Sequence, residues 1–459
     1  MGKQFSIIEQ PRFSCALGAQ QSVLAIPRAI PILHCGPGCS QKINSMMSSG
    51  AAGHQGEGHA GGAHIPATNM AESDVVFGGV QRLEETIQGA LEVMDGDLFI
   101  VLTGCIADII GDDAEGVVSG FQGGERPIIC VETGGFKGNS YKGHDLLLNG
   151  LVKGLLQGAK PKVQPGLVNV FSVVPFQNVN WRGDLTEIKA LLESLGLTVN
   201  ILFGYESGGL KDWQNIPNAQ FNLLLSPWVG LEAVQTLKQM FGTPYLHEPI
   251  LPIGSIATSA FLRRVTEIAG LSKGNTERLI QREDNIFYEY LCGALELFTD
   301  MKAGLPYELY TVADSAYGLA YTNFMVNEMG YLPKYAFVTD DPPLQQQTAI
   351  EGLFIRISPE LKNHVAFLTD GGEIHTIIRS QQHIPRKTLI LGTQWEKLLA
   401  TDLKAWLSLV SLPIHESLIL GRSYLGYRGG LRLLEDIYSG ILSNRGFSHR
   451  FVLEEEKMA

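Results

Sequence analysis

Leu98-Phe99-Ile100-Val101-Leu102-Thr103-Gly104-Cys105 is the stretch on which the fold turns. Five apolar residues and a threonine run into glycine and cysteine with no polar alternation. A strand wetted on one face alternates apolar and polar side chains, so an unbroken run marks a strand covered on both faces, as in a parallel sheet flanked by helices. The theme repeats. Pro127-Ile128-Ile129-Cys130-Val131-Glu132 runs into Thr133-Gly134-Gly135, and further runs occupy 168–174, 199–203, 221–225, 308–312, 335–339, 364–368 and 388–391. Helical patterns lie between many of them, for example Thr186 to Ser194, with Leu192 and Leu195 on an apolar face. Strand–helix alternation of this kind predicts the α/β class, built from doubly wound, Rossmann-like parallel sheets.

The runs fall into three groups, and 459 residues suffice for two or three domains. Three α/β domains are expected over 1–165, 166–300 and 301–420, with a C-terminal helix and tail over 421–459. That helix should begin after Gly426-Tyr427-Arg428-Gly429-Gly430. Leu431, Leu433, Leu434, Ile437, Tyr438, Ile441 and Leu442 then share its apolar face.

A formal net charge of −12 argues against a nucleic-acid binder, which carries a basic footprint, and suits a partner of positive or mixed charge. No run of about 18 apolar residues is present, so no membrane span is expected. The start, Met1-Gly2-Lys3-Gln4-Phe5-Ser6, lacks the apolar core of a signal peptide. Six scattered cysteines without such a signal point to a reducing, cytoplasmic setting and to metal or redox chemistry rather than disulfides.

Three of those cysteines sit beside small residues at expected strand-to-loop junctions: Ser14-Cys15-Ala16-Leu17-Gly18-Ala19, Gly36-Pro37-Gly38-Cys39 and Thr103-Gly104-Cys105-Ile106-Ala107-Asp108. Closed thiolate sites use four ligands, and iron–sulfur clusters are usually held by four cysteines. Three from one chain predict a metal site completed from elsewhere, most simply by another subunit. Glycine neighbours let backbone approach a cluster, and Cys39 follows a tight turn just before an expected helix start at Ser40. Singly, each reads equally well as a small buried residue. As a set in one domain, Cys15, Cys39 and Cys105 favour a shared site.

The other cysteines read as core: Cys35 in the strand Pro31-Ile32-Leu33-His34-Cys35, Cys130 in mid-strand and Cys292 on a helix. The four-residue spacing of Cys35 and Cys39 is also that of a metal pair. Ser48–Ala67 carries His54, His59 and His64 among glycines. Their five-residue spacing does not align on one helix face, so a loop is expected rather than a metal tract. Gly134-Gly135-Phe136-Lys137-Gly138 lacks the phosphate-loop pattern, and neither a nucleophile elbow nor an H-E-x-x-H zinc motif occurs. Asp108, Asp112 and Asp113 are expected to charge and cap a helix start.

Taken in order, Cys15-Ala16-Leu17-Gly18-Ala19, Gly36-Pro37-Gly38-Cys39, Val76-Phe77-Gly78-Gly79 and the string Cys105-Ile106-Ala107-Asp108-Ile109-Ile110-Gly111-Asp112-Asp113 resemble component 1 of nitrogenase, specifically its β-type subunit. Leu412-Pro413-Ile414, Gly421-Arg422-Ser423 and Leu425-Gly426-Tyr427-Arg428-Gly429-Gly430 extend the resemblance to the C-terminal region. The resemblance implies that Cys15, Cys39 and Cys105 ligate half of a P-type [8Fe–7S] cluster. A homologous α-type subunit would supply the other three thiolates in an α2β2 heterotetramer. An ATP-dependent iron protein with a [4Fe–4S] cluster would deliver electrons, and the catalytic iron–sulfur cofactor would lie in the α-type subunit.

No catalytic residue is expected in this chain. Phe221 to Tyr245 offers no cofactor-anchoring cysteine, and His415 stands in the β-type context Leu412-Pro413-Ile414-His415, which reads as structural. Two features depart from the pattern. The β-type serine that can bind the oxidised cluster falls at Gly135. The Ser48–Ala67 segment and the string Cys35-Gly36-Pro37-Gly38-Cys39 differ from dinitrogen-reducing β subunits. They point toward a divergent branch such as the methylthio-alkane reductases, which resemble nitrogenase and act on organosulfur compounds. The alternatives are a dinitrogen-reducing β subunit, a cofactor-assembly scaffold (whose β-like subunit often lacks part of the cysteine set) and a dark-type tetrapyrrole reductase subunit with an interfacial [4Fe–4S] cluster.

Overall fold

The computed structural model describes residues 15–42, 52–54, 65–134, 136–294, 305–382 and 385–443, with Cys15 and 52–54 described by their backbone. Its first strands are β1 (Ala29–His34), β2 (Ala52–His54), β3 (Leu98–Thr103) and β4 (Ile128–Val131). β1, β3 and β4 form one sheet in that order, every pair parallel. Every residue of β1 and β3 is buried, which is why their sequences carry no alternation.

The second sheet holds β5 (Gln164–Phe171), β6 (Thr198–Ile201), β7 (Ala219–Leu224) and β8 (Tyr245–His247) in the order β6-β5-β7-β8. The third holds β9 (Glu308–Ala313), β10 (Leu332–Val338), β11 (Val365–Phe367), β12 (Thr388–Gly392) and β13 (Trp406–Leu409) in the order β11-β10-β9-β12-β13. All their pairings are parallel as well. In both sheets the chain starts mid-sheet and winds outward in two directions, so a crevice opens at the carboxyl ends, between β5 and β7 and between β9 and β12. The expected class, α/β with Rossmann-like parallel sheets, is the class observed.

A buried polar ladder crosses the second sheet. Asn169 pairs in register with Asn200 and Asn222. Asn200 Nδ2 donates to Asn169 Oδ1 at 2.7 Å, and Asn169 Nδ2 donates to Asn222 Oδ1 at 2.7 Å. The spare amide protons of Asn200 and Asn169 reach the Asp212 and Ile216 carbonyls, whereas the buried Asn222 amide nitrogen is left without a partner among the described residues.

Several local expectations are corrected. The C-terminal helix spans Gly426–Ser443 and takes in the glycines that were expected to precede it. They serve close packing: a Cβ on Gly429 would lie 2.2 Å from the Tyr424 carbonyl carbon, and one on Gly430 would lie 2.8 Å from Gly254 Cα. The helix expected from Thr186 begins at Trp181. Within the expected 48–67 loop, β2 pairs in parallel with β14 (Ile414–Leu418), while His59 and His64 lie outside the described residues. Cys292, expected to pack, is exposed near the end of the Lys273–Gly293 helix. Among the described residues, no helix is long and apolar enough to cross a membrane.

Candidate metal centre

β1 and β3 lie side by side with His34 opposite Thr103, so their carboxyl ends open at the same level. β1 leads through Cys35 and Gly36 into a helix that starts at residue 37 and contains Cys39. The expected start at Ser40 is therefore three residues late, because Pro37 is pre-shaped for a first helical turn. β3 leads through Gly104 into the Cys105–Ile110 helix, with Cys105 as its first residue. Two close approaches lock the turns together. A Cβ on Gly104 would lie 2.5 Å from Cys35 Cβ, and one on Gly36 would lie 2.8 Å from Ile106 Cδ1. On Gly38 a Cβ would meet nothing within 4 Å, so that side of the turn is open.

Cys39 follows Cys35 within one turn of chain, and the close approach of Gly104 to Cys35 brings the Cys105 turn alongside; the Cys35 thiol donates to the Gly36 carbonyl at 3.0 Å. Cys35 itself is 1% exposed, the core position expected for it. Cys39 and Cys105 are both half-buried and so reach the surface. Cys15 begins the Cys15–Leu24 helix, which packs along the Ser140–Leu156 helix; its side chain lies outside the described residues. Cys130 stays half-buried against the core, its thiol pushed up to about 12 chiefly by burial.

The electrostatics separate the paired thiols. The neighbouring Cys35 thiol draws the Cys39 thiol down to about 7, with burial opposing and Lys42 assisting. Cys35 is pushed well up by its neighbour Cys39 and by burial.

A second set of groups fixes this corner. Asp112 accepts from His34 Nε2 at 2.9 Å and from the Gly79 N–H at 3.0 Å. Sequence reading gave Asp112 a helix-charging role; it instead joins the Val76-Phe77-Gly78-Gly79 segment to the end of β1. Burial lowers the His34 pKa against the pull of Asp112. Asp113 does cap a helix, accepting from the Gly116 N–H at 2.8 Å. Asp108 packs where a Gly134 side chain would stand, so the loop after β4 lies against the Cys105 helix. Gly135 in that loop is outside the described residues.

Apolar side chains on this corner remain uncovered: Val76 is 72% exposed, Phe77 88%, Ile109 68% and Phe136 77%. Such a patch marks a surface that another protein covers. The crevice where the three sheets converge is the opposite case. Tyr141, Trp228, Tyr317, Asp314 and Asp340 are all buried there. Ser315 Oγ donates to Asp340 at 2.6 Å and Trp228 Nε1 at 2.7 Å, while Asn139 Nδ2 donates to the Asp340 carbonyl at 2.9 Å. The cavity left is about 10 Å³, room for about one water. His415, half-buried in β14, donates its backbone N–H to Gln394 Oε1 at 2.8 Å.

Among the described residues, no three His, Cys, Asp or Glu side chains converge closely enough to hold a single metal ion. Cys39 and Cys105 are half-buried thiols, the donor chemistry that iron–sulfur clusters take as ligands.

Fold and site together define a multi-sheet α/β protein with an incomplete thiol centre on an uncovered apolar corner. Residues 14–442 match the family model described as nitrogenase component 1 type oxidoreductase, and the chain belongs to that family of oxidoreductases. It is 24% identical to the nitrogenase vanadium-iron protein beta chain of Trichormus variabilis, over 97% of this chain and 96% of that one. It is also 24% identical to the nitrogenase iron-iron protein beta chain of Rhodobacter capsulatus, over 95% and 94%. The nitrogenase molybdenum-iron protein beta chain of Azotobacter vinelandii is 24% identical over 93% of this chain and 82% of its own. The chain is of the β type that these relatives share. The solved structure of nitrogenase Cp1 at pH 6.5 superposes with a TM-score of 0.79 at 20% identity, covering 96% of this chain and 95% of that one.

Proposed function

We propose that this chain is the non-catalytic, β-type subunit of a nitrogenase-like reductase, in which Cys15, Cys39 and Cys105 hold half of a P-type [8Fe–7S] cluster shared with an α-type subunit. The observation that carries the reading is the delivery of two half-buried thiols, by adjacent parallel strands, to a corner ringed by exposed Val76, Phe77, Ile109 and Phe136. When bound, such a cluster supplies an electron relay from an ATP-dependent iron protein to the catalytic cofactor of the α-type subunit. The chain's own part is to present thiolates, to hold them on rigid strand ends and to offer an apolar rim that excludes water once covered. The filled crevice supports leaving the catalytic cofactor to the partner.

Within this class we infer reduction of small organosulfur compounds, on the Cys35-Gly36-Pro37-Gly38-Cys39 string and the histidine- and glycine-rich 48–67 segment that depart from dinitrogen-reducing β subunits. Dinitrogen reduction is the second reading, favoured by the names of the relatives.

The test is iron analysis of the chain copurified with its α-type partner. About eight irons per αβ pair are expected beyond those of the catalytic cofactor, against about four for a [4Fe–4S] centre. Cys39→Ala or Cys105→Ala should strip that iron and weaken the subunit interface, because ligand binding is part of assembly energy. A Cys105→Ala complex with unchanged iron and electron delivery would remove Cys105 from the ligand set. Turnover of a methylthio-alkane against dinitrogen by the same complex separates the two substrate readings.

A further inference from the structure

We propose that a cavity among four helices of this chain binds a small zwitterion, an α-amino acid with an apolar side chain, its ammonium group facing Glu187 and its carboxylate facing Arg428. The site uses none of the cysteines and stands apart from the cluster reading.

The Trp181–Ser194, Gly254–Ala269, Lys273–Gly293 and Gly426–Ser443 helices leave a cavity of about 210 Å³ between them. At roughly 30 Å³ per water that is room for about seven waters, the size of a small metabolite. The last helix sets its shape. Gly430 packs on Gly254 so closely that an added Cβ would lie 2.8 Å from the Gly254 Cα, and Tyr427 and Arg428 just before it line the cavity. The Tyr427 hydroxyl shares a hydrogen bond of 2.8 Å with Ser259 Oγ, which makes that side chain a fixed wall. Leu191, Leu262 and Leu279 supply apolar surface. A gap lined by leucine forfeits packing contacts that a ligand's hydrocarbon would restore.

Charge selects the ligand. Glu187 is half-buried, and a Cβ on Gly426 would lie 2.5 Å from its Oε1, so its carboxylate is seated against the turn into the last helix. Arg428 is exposed and lines the same cavity. Burial raises the Glu187 carboxyl, the Arg428 charge opposes that shift and Glu283 adds to it. Yet neither the Glu187 nor the Arg428 side chain forms a hydrogen bond or ion pair with any described residue. Glu283 and Arg282, on the same lining, satisfy one another, Arg282 Nε donating to Glu283 Oε1 at 3.0 Å. One free anion and one free cation therefore face one apolar cavity. A simple amine would leave Arg428 unanswered, and a simple acid would leave Glu187 so. A ligand carrying both charges answers both, and its ammonium offsets the cost of a half-buried carboxylate without a partner.

The test is equilibrium dialysis of radiolabelled L-leucine and L-methionine against the full chain in the complex in which it purifies. Isopentylamine and isocaproate, which are leucine without its carboxylate and without its amine, serve as competitors. Saturable binding at one site per chain is expected. Each competitor should bind about tenfold or more weakly than leucine, since each lacks one charged contact. Glu187→Gln and Arg428→Gln should weaken leucine binding by about tenfold or more. Ala190→Phe, at an exposed lining position, fills the cavity and should abolish binding. Ala190 and Arg428 are exposed, so both of these variants should keep the parent's circular dichroism. Absence of saturable binding for both amino acids overturns the proposal. Binding that Ala190→Phe leaves unchanged overturns it by placing the site elsewhere. Isopentylamine binding as tightly as leucine overturns it too, by making this a site for simple amines.

Discussion

Glycine 79 and aspartate 112 show how much of the site is written in residues that carry no chemistry of their own. Gly78 takes φ +93°, open to glycine at little cost, and Gly79 then aims its N–H at Asp112. A Cβ on Gly79 would lie 2.5 Å from Met70 Cε, 2.7 Å from Asp112 Oδ2 and 3.0 Å from His34 Cε1. The methionine can move, but the carboxylate and imidazole hold each other at 2.9 Å. Gly79→Ala should therefore cost about 1–3 kcal/mol by overpacking and loosen the end of β1 next to Cys35. Urea midpoints and iron retention check this, and a variant equal to the parent in both would refute it. Asp184 gives a pH prediction. Tyr317 and Ser423 donate to it, yet burial raises its carboxyl from 3.8 to about 7. Between those values the folded state holds a proton that the unfolded state lacks, so stability falls as pH rises from about 4 to about 7 and levels off above. Asp184→Asn removes that titration and should narrow the gap between urea midpoints measured at about pH 5 and about pH 8. An identical gap in both proteins would show that Asp184 is not the group responsible. Cys39 and Cys105 stood out in the sequence because a glycine precedes each. Asp112 did not, because its partners His34 and Gly79 are brought to it only by the fold.

Elements were read well where burial is complete and badly where polar residues are buried. β3 matches its apolar run from Leu98 to Thr103, since nothing in that run offers the backbone an alternative. β5 begins at Gln164, earlier than its apolar run, because Gln164 pairs with Ala219 of β7 ahead of a register shift that precedes Val168. The Asn169, Asn200 and Asn222 ladder was equally invisible, since an asparagine in a strand pattern gives no hint that its partners stand in register on the neighbouring strands. Glycine misled in the C-terminal helix: Gly429 and Gly430 look like breakers and act as contact points. The same logic gives a prediction for the helix that begins at Cys15. Gly18 meets Ser140 so closely that an added Cβ would lie 2.3 Å from its Cα and carbonyl oxygen, both backbone atoms that cannot swing aside. Gly18→Ala should push the Cys15–Leu24 helix off the Ser140–Leu156 helix and carry Cys15 with it. A stability loss of about 1–3 kcal/mol is expected, with iron content falling although no ligand is altered. If iron stays complete while stability falls, Cys15 is not held by this contact in the way proposed.

At the scale of the whole molecule, the ordered motifs carried the family and the apolar runs carried the sheets, but neither could reveal how the three sheet ends meet. That meeting is made by side chains far apart in sequence: Asn139, Trp228, Ser315 and Asp340 join in one buried cluster, and Tyr141 and Tyr317 line the remaining space. A crevice at the carboxyl ends of doubly wound sheets is where such folds bind ligands, and pockets for small molecules or cofactors occupy roughly 300–1,000 Å³. Here about 10 Å³ remains, so a cofactor could enter only by displacing Trp228 or Tyr317 from buried hydrogen bonds. Leaving Asp340 or Asp184 buried and unpaired would be costly, which makes the closed state the stable one. The expected division of labour can be seen directly. In crystals of the complex, anomalous scattering at the iron edge should give density at the corner formed by Cys39 and Cys105 and within the α-type partner. It should give none among the carboxyl ends of β5, β7 and β9 in this chain. Iron density there would mean that the crevice opens on assembly, and the assignment of catalysis to the partner alone would fall.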